Sequence, residues 1–293
     1  VAAEADAHRY CGRDFSAVDL ARIRALIIAR PDATRAELSR LVCEELGWHR
    51  ADGRAKDMSC RVAMLRMQRD GLFELPPPRN GNNNGKPYRR RTRQAEPASP
   101  LRASSPRTLG PLTLQPVTER RDSHLHNEYL DRYHYLGYQP LPGAQLRYFV
   151  HAGGQLVALL GFGAAAWKTR PRDRFIGWTL SQRQQRLHLV VNNARFLILP
   201  WVECRNLASS ILARAAHRIA TDWQLQYGYR PVLLETFVEQ PRFRGIAYQA
   251  ANWICVGTTQ GRGKLDVHHQ RRLPKKSVWV YPIDRRFRQV LCQ

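Results

Sequence analysis

Between Pro76 and Thr118 the chain carries too few large apolar residues to bury a core of its own, and that break limits its possible folds more than any other feature. The stretch opens on Pro76-Pro77-Pro78 and runs through Asn82-Asn83-Asn84-Gly85. It then gathers Lys86, Arg89, Arg90, Arg91 and Arg93, and continues rich in Pro, Ser and Thr. Such a composition predicts a basic flexible linker over residues 76–118, with one domain at 1–75 and another at 119–293. A length of 293 residues suits two domains, and no internal repeat is visible.

In the first region Leu20, Ile23 and Ile27 recur at helical spacing until Pro31-Asp32-Ala33 interrupts them. Thr34 followed by Glu37 is a capping box, which predicts a second helix with Leu38, Leu41, Val42 and Leu46 inward. After turns at Gly47-Trp48 and Asp52-Gly53, a third helix is expected from about Ala55 to Arg69. Met58, Val62 and Leu65, with Met64 as a further candidate, would face inward; Arg54, Lys56, Arg61, Arg66 and Arg69 would lie near or on its outer faces. Gly71 stops the helix, and Leu72 to Leu75 reads as a short extended exit. Three short helices with a basic third one and a strand-like tail are the outline of a winged-helix or helix-turn-helix module whose last helix enters the major groove, making Arg54, Lys56 and Arg61 nucleic-acid candidates. The alternative is a small helical bundle with merely solvated charges.

The second region alternates differently. A helix is expected from His124 to Leu136, and a hairpin joins Gln145–Val150 to Gln155–Gly163 about Ala152-Gly153-Gly154. Arg195 to Leu199 reads as a strand. Asn206 to Gln226 reads as a long helix with Leu207, Ile211, Leu212, Ala215, Ile219 and Trp223 inward, ended by Gly228. Pro231 to Val238 is a buried strand, Gly245 to Ala251 a short helix, Trp253 to Gly257 a strand, and Val278 to Tyr281 a last edge strand. Hairpin, strand, helix, strand, helix, strand predicts an α+β domain around a mixed sheet.

Charge points to the partner. With 47 Lys and Arg against 24 Asp and Glu the net charge is +23, which calls for a polyanion, with duplex DNA ahead of RNA and anionic membranes. The longest nearly apolar run, Leu156 to Trp167, is broken by Gly161 and Gly163 and is too short to span a bilayer. Six scattered cysteines without a Cys-x-x-Cys pair, and no basic segment leading into an apolar one at the N-terminus, make the reducing cytoplasm the expected location. Gly261-Arg262-Gly263-Lys264, with Arg271, Arg272, Lys275 and Lys276, forms a second basic patch of phosphate-contacting character that lacks P-loop spacing. Together with Lys86, Arg89, Arg90 and Arg91 in the linker, the two patches suggest a protein that clamps double-stranded DNA.

Four residues are candidates for chemistry. Asp173, held ionised between Arg172 and Arg174 and followed by a strand-like Phe175-Ile176-Gly177-Trp178, could bind a metal or accept a proton, or be a surface salt bridge. Glu235 interrupts an apolar strand and is either a site carboxylate, a structural partner, or a residue on a solvated sheet face. Tyr248 could donate a proton or simply pack; Asn252 could cap the short helix or orient a ligand. Asn192-Asn193 could read base edges, although a turn is the commoner use of that pair. His124, His126, His134 and His268-His269 have no metal-ligand spacing, so no metal is assigned.

The succession RDRFIGW, VVNNARFLILPWV, NLASSIL, LLETFVEQPRFRGIAYQAANW and VGTTQGRGK resembles the DruA family of the Druantia anti-phage systems, which has transposon-associated relatives. SRLVCEELGW, GRAKDMSCRVAMLR and DGLFELPPP resemble the front part of the same family. That resemblance implies a role in bacterial defence or mobile-element biology, with DNA as ligand and a helicase or other defence subunit as partner. The order of elements over residues 124–259 is also similar to the GNAT acyltransferase fold, and GIAYQAANW to its DNA-modifying Mom-like members. It implies a GNAT-like topology with Asp173, Glu235, Tyr248 and Asn252 near a cleft, and a transferase reaction; a metal-dependent nuclease is the further alternative. The glycine-rich pyrophosphate loop of that fold is replaced here by Pro200-Trp201-Val202-Glu203-Cys204-Arg205-Asn206, so the cofactor stays unknown.

Overall fold

The computed structural model describes residues 8–79, 81, 88, 90–261 and 273–293. The chain separates into two compact units, residues 1–86 and 87–293.

The first unit opens with a short antiparallel hairpin, β1 (His8–Tyr10) and β2 (Arg13–Phe15). Three helices follow: α1 (Ala17–Ala29), α2 (Arg35–Glu45) and α3 (Asp57–Arg69). Ser16 and Thr34 each close a capping box, with Asp19 and Glu37 respectively, which fixes where α1 and α2 begin. The hairpin lies N-terminal to the helices, and no strand follows α3 among the described residues of this first unit. The inward face of α3 also differs from expectation. Cys60, Ala63, Met64 and Met67 are buried, while Met58 and Val62 are exposed. Small side chains at 60 and 63 let α3 pack closely against α2, whose Cys43 and Val42 are themselves sealed.

Much of the segment expected to be a linker folds with the second unit. Residues 88–118 belong to the second unit, with β3 (Leu101–Ala103) and β4 (Leu112–Pro116), the latter an edge of its main sheet. Polar anchoring supplies what the composition lacks. Helix α4 (Arg120–Tyr133) carries the fully buried Glu128, whose carboxylate accepts from Thr92 N at 2.5 Å and from Thr92 Oγ1 at 3.0 Å. Tyr129 and Tyr133 donate to the carbonyls of Gln94 and Ala95.

The second unit is built on a seven-stranded mixed sheet. β4, β5 (Gln145–Ala152), β6 (Gln155–Ala164) and β7 (Val190–Ile198) run as an antiparallel meander. β9 (Leu233–Glu239) lies parallel beside β7, and β11 (Lys276–Pro282) and β10 (Ile254–Thr258) complete the sheet antiparallel. Thus β11 is interior and β10 is the edge, the reverse of the expectation for Val278–Tyr281. The short β8 (Val202–Cys204) pairs in parallel with β3. Helix α7 (Leu207–Tyr227) buries the expected face on one side of the sheet, and Gly228 in the left-handed region ends it. On the other side α5 (Arg170–Ile176) and α9 (Phe287–Leu291) bury Ile176, Phe287 and Leu291 against Leu233 and Val280. Helices α6 (Leu180–Arg186) and α8 (Ile246–Ala250) complete the unit. The mixed α+β class and the large mixed sheet accord with the sequence.

Two local assignments change. Phe175-Ile176 lies in α5, not in a strand, because Pro171 sits in the helix's first turn and Gly177, at φ 88°, terminates it. Asn192 and Asn193 lie inside β7, which starts at Val190, and not in a turn. No helix among the described residues is long and apolar enough to cross a membrane.

Candidate functional site

β7 and β9 pair only over Val190–Asn192 and Leu233–Glu235. Beyond that point β7 follows β6 and β9 follows β11, so the sheet forks between two parallel strands. Three of the four candidate residues gather at the fork, and they divide between its two faces by strand alternation.

On the face shared with Leu233 stands Glu235, with 0% exposure. Its Oε1 accepts from Ala166 N at 2.7 Å and its Oε2 from Arg172 Nη1 at 2.8 Å. Arg172 is equally sealed, and its Nε and Nη2 reach Asp173 Oδ1 at 2.9 and 2.7 Å. Asp173 also accepts from Trp178 Nε1, Thr169 N and Arg183 Nη1, each at 3.1 Å. The fold brings Asp173 and Glu235 together through one arginine that holds both. Every carboxylate oxygen is engaged, so the group works as a lock fastening α5 and the segment before it to β9. Burial raises the Glu235 pKa while the Arg172 charge lowers it. The 2.8 Å ion pair with the Arg172 guanidinium is the reason to read the carboxylate as charged.

On the opposite face Thr236 Oγ1 donates to Asn193 O at 2.9 Å, and Tyr248 OH donates to Asn193 Oδ1 at 2.8 Å. Asn193 in turn donates through Nδ2 to Arg195 O at 3.2 Å. Burial pushes the Tyr248 pKa up to about 12, so the hydroxyl keeps its proton and bridges the fork from α8. Asn252 is not at the fork. It is exposed, at φ 63° just past α8, the left-handed position that asparagine tolerates after a helix. Among the described residues no group of three His, Cys, Asp or Glu could hold a metal ion.

The basic candidates are scattered. Arg54 is exposed and Lys56 half-buried at the start of α3, while Arg61 shares Asp57 with Arg50, at 3.5 and 3.2 Å. Arg90 is exposed, and Arg91 pairs with Asp131 at 2.9 Å. Lys275 is exposed, and Lys276 opens β11 opposite Glu239. Lys86, Arg89, Arg262, Lys264, Arg271 and Arg272 lie outside the described residues.

Sequence reasoning missed a further group: Arg147, Arg195 and His126 around a cavity of about 120 Å³ beneath α4. Gly161, inside an apolar strand, was the available signal, since an interior strand glycine often marks a close approach.

Residues 66–290 match the family model described as Druantia protein DruA. The chain belongs to the DruA family. Among curated proteins none matches this DruA chain in sequence. Solved structures similar to it include a GNAT-family acetyltransferase from Streptococcus pneumoniae, at 12% identity and TM-score 0.38, covering 59% of this chain and 100% of that one. The ribosomal-protein-S18-alanine N-acetyltransferase from Escherichia coli follows at 9% and 0.37, covering 59% and 94%. An N-acetyltransferase from Staphylococcus aureus Mu50 stands at 11% and 0.31, covering 48% and 68%. Likenesses at this level carry nothing about chemistry.

Acetyl-coenzyme A, the cofactor a GNAT-type reaction would use, finds no cradle between β7 and α7 in this DruA protein. The segment has no glycine and is built into a strand ladder, β8 on β3, with Leu101 N donating to Trp201 O at 2.8 Å. Glu203 of that ladder is exposed and adds a negative charge, paired with Arg102 at 3.1 Å, which disfavours an anionic group on the segment. The residues do not fit the group.

Proposed function

We propose that this DruA protein is a DNA-binding component of an anti-phage defence system, holding duplex DNA through cations that its own carboxylates leave unpaired. The family suggests the defence setting, and its transposon-associated relatives suggest mobile elements as the other one. The observation that carries the reading is the outer face of α3. Arg54 just before it, and Arg66 and Arg69 on it, are exposed and without a carboxylate partner among the described residues. Cations so placed are repelled by their neighbours until phosphates neutralise them. In the second unit Arg242, Phe243 and Arg244 are exposed together before α8, an arginine–aromatic combination suited to phosphates and bases. A helicase or another defence subunit is the natural protein partner of a DNA-holding component.

Binding is better supported than reaction. A metal-dependent nuclease would need Asp173 and Glu235 free, and Arg172 engages both. A Mom-like transferase using acetyl-coenzyme A would need the cradle that β8 replaces. The test is a gel-shift titration of the full chain carrying Arg54→Glu, Arg66→Glu and Arg69→Glu together. Duplex affinity should drop by about tenfold or more at low salt, with little change in melting temperature. Undiminished affinity removes α3 from the interface.

A further inference from the structure

We infer that the cavity enclosed by α4, residues 138–141 and strands β5 to β7 is a binding site for the phosphate group of a phosphomonoester, held by Arg147 and Arg195. Three buried or half-buried arginines of this unit meet a carboxylate: Arg132 meets Glu128, Arg172 meets Glu235 and Asp173, and Arg183 meets Asp173. Arg147 and Arg195 do not. Arg147 donates to Asn127 Oδ1 at 3.0 Å and to Ser123 Oγ at 2.9 Å, both neutral acceptors. Arg195 reaches the carbonyl of its neighbour Ala194 at 2.7 Å, and its buried Nε has no acceptor among the described residues. Burial pushes the pKa of both guanidinium groups down, with no carboxylate acting against it. Two half-buried cations lining one cavity without a carboxylate favour an anion joining them.

The chemistry of the lining selects the anion. His126 is sealed and neutral, its pKa driven down to about 3 by burial and then by the Arg147 charge, so the arginines alone charge the site. Two guanidinium groups match a dianion, and their planar forks match phosphate oxygens. A cavity of about 120 Å³ takes a phosphate group while the rest of the ligand stays outside. The space exists because residue 161 has no side chain: a Cβ there would stand 3.1 Å from Arg195 Cβ and 3.8 Å from Leu141 Cδ1. A terminal phosphate of a nucleic acid and a free mononucleotide share this chemistry. The site does not depend on the duplex-binding reading.

Calorimetric titration of the full chain with inorganic phosphate, thymidine 5′-monophosphate, and a short single strand with and without a 5′-phosphate tests it, at ionic strength fixed with chloride. One equivalent of phosphate and of monoester should bind, and Arg147→Gln and Arg195→Gln should each weaken binding by about tenfold or more. Stronger binding of the phosphorylated strand than of the mononucleotide identifies a nucleic-acid end; the reverse order identifies a free nucleotide. Should either variant fail to fold, the melting temperature of the unaltered protein in phosphate against chloride decides, and a rise is expected. Loss of phosphate binding in Arg195→Gln with duplex affinity intact keeps this site apart from the duplex interface. No binding of any phosphate beyond chloride, or equal binding by both folded variants, overturns the inference.

Discussion

Glu235 shows how far a single residue could be read in advance. A carboxylate inside an apolar strand announces a partner or a function, and strand alternation leaves its environment open. Only the fold supplies Arg172, from α5, where the sequence predicts a loop leading into a strand. Breaking a buried pair on one side leaves an uncompensated charge, so Glu235→Ala should destabilise the second unit by about 3–5 kcal/mol in chemical denaturation of the full chain. Glu235→Gln keeps an acceptor for Ala166 N–H and should cost less. Equal, small costs for both would contradict the lock. His126 gives a pH prediction with a definite sign. Its folded pKa of about 3 lies below the usual histidine value, so the unfolded chain takes up a proton in acid that the folded chain refuses. Stability should therefore fall as pH drops below about 6.5, by about 1.4 kcal/mol per unit from this residue, down to the folded pKa. His134, whose pKa is lowered to about 4, acts in the same direction. Thermal melts from pH 7 to pH 5 of the unaltered protein and of His126→Gln should converge toward acid; parallel curves would count against a buried neutral imidazole.

At the scale of elements, strong periodic signals were legible and ambiguous ones were not. The α7 face, Leu207 through Trp223, could be read directly because its apolar spacing admits one phase. In α3 two stripes compete: Met58, Val62 and Leu65 against Cys60, Ala63/Met64 and Met67. Small residues decided the phase by allowing close packing, which hydrophobicity alone does not reveal. The expectation of a linker over residues 76–118 rests on composition alone. Composition measures apolar burial, whereas residues 92–96 are fixed by the Glu128 carboxylate and two tyrosine hydroxyls. If β4 is an integral edge strand, Leu114→Ala should cost about 2–5 kcal/mol, because Leu114 is buried in the main core. An unchanged denaturation midpoint would return residues 112–116 to a linker. The fork was beyond reach from sequence, since it depends on where the parallel pairing of β7 and β9 stops.

For the whole molecule the governing quantity is charge: 47 cationic side chains against 24 acidic ones. Acids such as Asp57, Asp131, Asp173 and Glu235 are already committed to arginines within their own units, which leaves the excess cations to an external polyanion. Net charge was legible from the start; which cations are spent internally was not, because each ion pair is a tertiary event. Arg61 and Arg91 are candidates that the structure pairs with Asp57 and Asp131, while Arg147 and Arg195, unmarked in the sequence, stand without a carboxylate. Fluorescence anisotropy of a labelled duplex with the full chain across a salt series tests the central claim most directly. Log affinity should fall linearly with log salt at about −0.9 per phosphate contact, with several contacts in total. A flat salt dependence, or no binding to duplex at low salt, would contradict the account and leave the excess charge to RNA or an acidic protein partner.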